Sequence, residues 1–209
     1  MTPYHKIDSL FMRDKDGNMM WGEYSRPEFA YLSENTWMFT EKIDGTNIRV
    51  MIDTPSRKVT FGGRTDNAQI PAKLYTRLAE MFGDHSRLFD QFPDGACLYG
   101  EGYGDGIQKV GKLYGDINFI LFDVKIGNWW LTREDRAVVA ESLGINIVPV
   151  RGLGTLREMQ VRVAEGVLSA VRCGDSPFFA EGLIAEPVVP LFDRGGRRII
   201  TKLKARDYR

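Results

Sequence analysis

Glu41-Lys42-Ile43-Asp44-Gly45-Thr46-Asn47 places a lysine, a carboxylate and a glycine within four positions at the edge of a strand. A lysine amine is a nucleophile only when part of its population is neutral, so burial or cationic neighbours must work against its ordinary pKa of about 10.4. Trp37-Met38-Phe39 leads into Lys42, and Ile48, Val50 and Ile52 follow it, so apolar surroundings are at hand. If the segment is extended, Asp44 points to the face of Lys42, as a catalytic partner or as a salt bridge. Gly45 lets a phosphate or a base come close to the backbone. Lys-x-Asp-Gly is also short enough to arise by chance, and a strand ending in an Asp-Gly turn accounts for it without any chemistry.

Working outward, residues 36–40, 47–53 and 58–61 read as strands from their β-branched and aromatic content. The third runs into Gly62-Gly63-Arg64-Thr65, a tight turn with Arg64 at its edge, where a solvated loop arginine is the plainest reading. Apolar residues at helical spacing predict a helix from Pro71 to Phe82 within a helical stretch near 71–90, and threonine caps three residues before acidic ones (Thr132 and Asp135, Thr155 and Glu158) predict helices near 132–143 and 155–171. A strand at 96–100 delivers Glu101 into Gly102-Tyr103-Gly104-Asp105-Gly106. No convincing helix follows to supply an amide-lined terminus, so a dinucleotide-binding loop is rejected.

Ile117–Ile126 is strand-like, with Phe119, Leu121 and Asp123 expected on one face; Phe119 is core unless that face lines a pocket. Glu181-Gly182-Leu183-Ile184 and the alternating stretch 199–204 close the set. Lys202 and Lys204 therefore share a face, where they repel unless an anion or solvent lies between them.

Composition sets the frame. With 209 residues, 43% of them hydrophobic, the chain can bury a proper core, and a single domain over 1–209 is expected. Lys plus Arg and Asp plus Glu both number 28, so no overall basic field marks a nucleic-acid binder. Basic residues gather locally instead, at Arg194, Arg197, Arg198, Lys202, Lys204, Arg206 and Arg209. Cys97 and Cys173 lie far apart without metal-ligand spacing, which argues against a zinc site or a disulfide framework and for a reduced cytosol. No signal-like or membrane-spanning run is visible.

With these pieces in order, the chain resembles the covalent nucleotidyltransferase superfamily of ATP-dependent RNA and DNA ligases and RNA capping enzymes. Lys42-Ile43-Asp44-Gly45 looks like its lysine-adenylation motif I, Glu101-Gly102 like motif III, Phe119 to Asp123 like motif IIIa, Glu181-Gly182 like motif IV and Lys202-Leu203-Lys204 like motif V. The flanking residues Glu41 and Asn47, with Arg64 close behind, resemble the RNA ligase 2 family, which seals nicks in double-stranded RNA. The implied fold is α+β: a nucleotidyltransferase, ATP-grasp-like ligase catalytic domain of mainly antiparallel sheets flanked by helices.

The resemblance also implies a chemistry. Lys42 would attack the α-phosphate of ATP to form lysyl-AMP, pass AMP to a 5′-phosphate, and so allow a 3′-hydroxyl to seal the ends. Lys202 and Lys204 would face the phosphates, favour the neutral Lys42 amine and stabilise developing negative charge. Asp44, Glu101 and Glu181 would surround Mg²⁺ or Mn²⁺, with Glu101 holding ribose instead or as well. Phe119 would stack on adenine, Arg64 would contact ribose or phosphate, and the Glu41 and Ile43 backbone would help read the base. Asn47 would touch nucleotide or the RNA end.

Relatives usually append a second domain after motif V, whereas this chain runs five residues past Lys204. The expectation is therefore no appended C-terminal domain, intact self-adenylation, and sealing that relies on the core surface or on a partner protein. The expected setting is a cytoplasmic repair enzyme of phage or viral origin, acting on RNA ends without a membrane. The rival readings are a DNA ligase, a GTP-using capping enzyme, a nucleotide- or RNA-binding module without turnover, and a purely structural β-rich module.

Overall fold

Alternating strands with one apolar face each make two helix-backed sheets in the computed structural model, which describes residues 3–171 and 176–208. Cys173 and Arg209 lie outside the described residues. In chain order the elements are β1 (Asp8–Ser9), β2 (Phe11–Arg13), β3 (Met19–Tyr24), α1 (Pro27–Tyr31), β4 (Trp37–Lys42), β5 (Thr46–Asp53) and β6 (Lys58–Gly62). Then come α2 (Ala72–Met81), α3 (His85–Gln91), β7 (Ala96–Tyr103), α4 (Gly111–Tyr114), β8 (Asn118–Ile126), β9 (Trp129–Trp130), α5 (Arg133–Leu143) and β10 (Asn146–Ile147). The last are β11 (Val150–Gly154), α6 (Leu156–Glu165), β12 (Gly182–Pro187) and β13 (Thr201–Lys204), followed by a 3₁₀ turn over Ala205–Tyr208. No helix is long and apolar enough to cross a membrane.

The chain divides into two compact units. One comprises the N-terminal residues to Tyr4 with Asp44–Val148; the other comprises His5–Ile43 and the residues from Pro149 on. The α+β class with mainly antiparallel sheets is as expected.

In the first unit the sheet order is β10-β8-β7-β5-β6, with β9 paired to β8. Ile48, Val50 and Ile52 of β5, Leu98 of β7, and Phe119, Leu121 and Val124 of β8 pack under Leu74 and Leu78 of α2, Leu88 and Phe89 of α3, and Val139 and Ala140 of α5. The helix expected from Pro71 to Phe82 is α2, and the helical stretch expected near 71–90 continues as a separate α3. Gly83-Asp84 interrupts the stretch, and the Asp84 side chain accepts from the Arg87 N–H to start the second. A β-bulge in β8 was not legible: Leu121 pairs with Gly100 but Asp123 pairs with Tyr99, so Phe122 is the extra residue. Asp123 is thereby turned onto the face opposite Phe119 and Leu121, which corrects the expectation that all three share one face.

In the second unit the order is β1-β13-β12-β4-β11, with β12 antiparallel to both β4 and β13. Trp37, Phe39, Leu183, Ala185 and Leu203 pack against Leu156, Met159 and Val163 of α6. That helix begins with a full capping box, Thr155 and Glu158 bonding reciprocally, and stops at Glu165 because Gly166 follows with a φ of 92°. It is shorter than the sequence suggested.

Candidate active site

The three-strand register of the second unit assembles the lysines. Lys42, Gly182 and Lys204 lie level across β4, β12 and β13, and Thr40, Ile184 and Lys202 lie level one pleat further on. Since residues paired across a ladder and those two apart along a strand share a face, Lys42, Lys202 and Lys204 are on the side of the sheet away from α6. A Cβ on Gly182 would fall 2.0 Å from the Leu203 carbonyl oxygen, so glycine is what lets β12 lie this close to β13.

Glu181, immediately before β12, sits between two of the lysines. Its Oε2 accepts from Lys42 Nζ at 2.5 Å and its Oε1 from Lys204 Nζ at 2.6 Å, with the three side chains 17–19% exposed. Burial alone would raise the Glu181 pKa, but the Lys42 charge and the hydrogen bonds from Lys204 and Lys42 outweigh it and hold the carboxyl below its ordinary value. The expected repulsion between lysines is thus relieved by an internal carboxylate. Two ammonium groups against one carboxylate leave the Lys42–Glu181–Lys204 set net positive, suited to a polyphosphate, with Lys42 at the end of its strand.

Glu41 is on the other face. Its carboxylate accepts from Ser169 Oγ at 2.5 Å and from the Ala170 N–H at 2.8 Å, and its backbone N–H donates to the Pro149 carbonyl at 3.0 Å. Burial raises its pKa despite these bonds and the Arg151 charge. Ile43, 3% exposed, follows the strand.

In the first unit, Asp44 and Gly45 form the turn before β5; the strand carrying Lys42 has already ended, so the extended run from 42 to 44 is not formed. The Asp44 N–H donates to the Tyr114 hydroxyl at 3.2 Å and Gln108 Nε2 to the Gly45 carbonyl at 3.0 Å. A Cβ at Gly45 would lie 2.3 Å from the Gly102 carbonyl oxygen, so the space expected for a phosphate or base is filled by β7. Asn47 and Glu101 are cross-strand partners on the face away from α2. Asn47 Oδ1 is buried with no hydrogen-bond partner among the described residues. Arg64 is exposed in the loop after β6.

Phe119 corrects another expectation. It has no exposed area and stands edge-on to Phe82 with ring centroids 5.5 Å apart. A Cβ at Gly100 would lie 2.2 Å from its Cζ. The glycines of Gly-Glu-Gly are there to admit Phe119 and Leu74, and a ring packed on all sides cannot stack on adenine. What the sequence reading missed is the aromatic group on the opposite face: Tyr4 lies 5.0 Å from both Tyr99 and Phe122, and its hydroxyl donates to Asp123 Oδ2 at 2.8 Å. The bulge creates that arrangement, and alternation alone carries no signal for it.

Among the described residues no group of three or more His, Cys, Asp or Glu side chains comes together that could hold a metal ion. Both Glu181 oxygens accept from lysines. The basic tail is not one continuous patch. Arg197 pairs with Asp193 at 2.8 Å, Arg198 with the buried Glu186, and Lys204 with Glu181, leaving Arg194 and Arg206 exposed.

Comparison with known proteins gives three findings. A family model described as RNA ligase matches residues 35–204. No curated protein matches the chain. Solved structures of point mutants of Naegleria gruberi RNA ligase share the fold. One, with ATP and Mn, has a TM-score of 0.65 at 18% identity over 87% of this chain and 52% of that one. Another, with AMP and Mn, has a TM-score of 0.64 at 17% identity over 87% and 53%. A third, with ATP and Mn, reaches 0.68 at 16% identity over 100% and 57%. The chain spans little more than half the length of the solved ligases it matches.

Proposed function

The chain belongs to the RNA ligase family, and on that premise we propose that it is an ATP-dependent RNA ligase that joins 3′-hydroxyl and 5′-phosphate ends, nicked duplex RNA above all, through a lysyl-AMP intermediate on Lys42. The observation that carries the reading is the Lys42–Glu181–Lys204 cluster on one sheet face, with Lys202 beside it and the whole set inside the matched span.

The chemistry follows from what these groups can do. Lys42 gives up a proton, with the Glu181 carboxylate as its nearest acceptor at 2.5 Å. The neutral amine attacks the α-phosphorus of ATP; a P–N bond forms, the bond to the β-phosphate oxygen breaks, and pyrophosphate leaves. An oxygen of the RNA 5′-phosphate then displaces the lysine from AMP, and the 3′-hydroxyl displaces AMP from that phosphate, losing its proton as the phosphodiester forms. Lys204 and Lys202, in this reading, hold negative charge as it gathers on the leaving phosphates. In this reading Arg64 contacts ribose or phosphate, Glu101 holds ribose and Asn47 touches nucleotide or the RNA end.

Mg²⁺ or Mn²⁺ enters as part of the substrate. Mg²⁺ keeps several waters and is usually held by one or two carboxylates together with nucleotide phosphates. Asp44 and Glu101 are the carboxylates this reading assigns to it.

The test is covalent labelling. The protein is incubated with Mg²⁺ and α-labelled ATP or GTP, beside Lys42→Ala, and denatured before counting. Label from ATP alone that disappears in Lys42→Ala is the expected result, and sealing of nicked RNA, single-stranded RNA and nicked DNA then ranks the substrates. Label from GTP moves the protein to capping chemistry. No label, from protein shown by mass to carry no AMP, overturns the reading.

A further inference from the structure

Arg49 is an arginine in the middle of a sheet. It stands on β5 between Ile48 and Val50, in register with Gly62 on β6 and Tyr99 on β7, and is 1% exposed. A guanidinium at such a position must be held by acceptors to offset its desolvation. Its Nε donates to the Gly63 carbonyl at 2.8 Å and its Nη2 to Asp66 Oδ1 at 2.8 Å. Those two acceptors flank Arg64-Thr65, and the Ala68 N–H closes the turn on the Thr65 carbonyl at 3.1 Å.

The glycines before Arg64 serve the same arrangement. A Cβ at Gly62 would lie 3.1 Å from Arg49 Nη2, and one at Gly63 would lie 2.7 Å from the Ala68 Cβ. Asp66 is 80% exposed although it pairs with a buried arginine. Its carboxylate takes the Arg49 Nη2 bond and so fixes the far end of the loop. The pair therefore acts on the position of the exposed Arg64 as well as on the fold.

We propose that Arg49 and Asp66 are positioning residues that hold the 63–66 loop so that Arg64 is presented, already ordered, to the nucleotide. This deepens the ATP reading and rests on its assignment of Arg64. The planar fork lets one side chain hold a backbone carbonyl and a carboxylate together through separate nitrogens in a fixed geometry. Ordering a long side chain before binding removes part of the entropy that binding otherwise has to supply.

Asp66→Ala is the decisive variant because it is exposed and leaves the buried arginine its bond to Gly63. The expected result is a rise of about three- to tenfold in the KM for ATP in lysyl-AMP formation, the size of one side chain's ordering cost, with little change in kcat. Asp66→Asn, which keeps an acceptor for Arg49, is expected to restore most of the loss. In an Arg64→Ala background Asp66→Ala is expected to add nothing, since the tether acts through Arg64. Without any nucleotide, limited trypsin digestion read by mass, at a temperature well below the melting point of either protein, is expected to cut Arg64–Thr65 faster in Asp66→Ala than in wild type.

Wild-type KM and wild-type cleavage in Asp66→Ala overturn the inference while leaving lysyl-AMP formation standing. So does a KM effect that persists undiminished beside Arg64→Ala. Absence of label in wild type sinks the ATP reading instead, and the cleavage comparison then decides the tether on its own.

Discussion

Two glutamates at opposite ends of β12 are handled in opposite ways. Glu181, before the strand, shares its carboxylate between Lys42 and Lys204 at 2.5 and 2.6 Å, in a cluster 17–19% exposed. Glu186, five residues on, pairs with Arg198, and these side chains are only 9% and 4% exposed. Nearby His5 is pushed down to about 4, by burial first and then by the Arg198 charge with Arg26 and Arg197 adding to it, so it is neutral at pH 7. The open end is built with lysines, which can lose a proton, and the closed end with arginines, which cannot. The difference separates a charge cluster made to react from one made to stay.

The largest effect should come from exchanging the two designs at the reactive end. Lys42→Arg keeps the positive charge beside Glu181 but has no amine to release, so lysyl-AMP is expected to fall by about a thousandfold or more while the fold persists. Lys204→Arg, whose group is read as holding charge and not as reacting, should retain much of the labelling. An equal collapse in both variants would erase the distinction between nucleophile and electrostatic partner. At the closed end, Glu186→Gln leaves Arg198 buried without its carboxylate and is expected to lower unfolding free energy by about 3–5 kcal/mol in urea denaturation. Labelling per folded molecule should change little. Were Glu186→Gln to abolish labelling in protein that remains folded, the closed end would belong to the site after all.

Local chemistry was legible where a short stretch determined its own structure. The caps at Thr132 and Thr155 announced α5 and α6, and the alternation from Ile199 placed Lys202 and Lys204 on one face, as the register confirms. The family was legible from the order of the lysine and carboxylate stretches. What failed depended on contacts distant in sequence. Phe119 looked like a strand aromatic available to a ligand, but the side of the sheet that α2 and α3 cover decides its fate, and no residue near it states that. Asp123 was assigned to the wrong face because a bulge shifts the register without any glycine or proline to mark it. The basic tail looked like one patch because its acidic partners Glu181 and Glu186 lie before the stretch that was counted. The N-terminal hairpin of β2 and β3 was not anticipated at all.

The smallest effect divides two glutamates on opposite sides of one sheet. Glu181 is held below its ordinary 4.5 by the lysines, so its ionised form stabilises the fold above pH 4.5 and that contribution fades as pH falls through its folded pKa. Glu41 is raised above 4.5 by burial, so the folded state binds its proton more tightly than the unfolded chain does, and stability declines as pH rises from 4.5 through its folded pKa. Comparing each variant with wild type at the same pH cancels the other titrating groups. The stability deficit of Glu181→Gln should therefore shrink on acidification below pH 4.5. The stability of Glu41→Gln relative to wild type should instead rise as pH increases above 4.5, because the amide never ionises and still offers an acceptor to Ser169 or Ala170. Denaturant midpoints measured between about pH 3 and 8 would show two differences of opposite slope. A flat difference for Glu41→Gln would mean that the bonds from Ser169 and Ala170 cancel the burial penalty. The two faces of β4 would then not differ in how they treat a carboxylate.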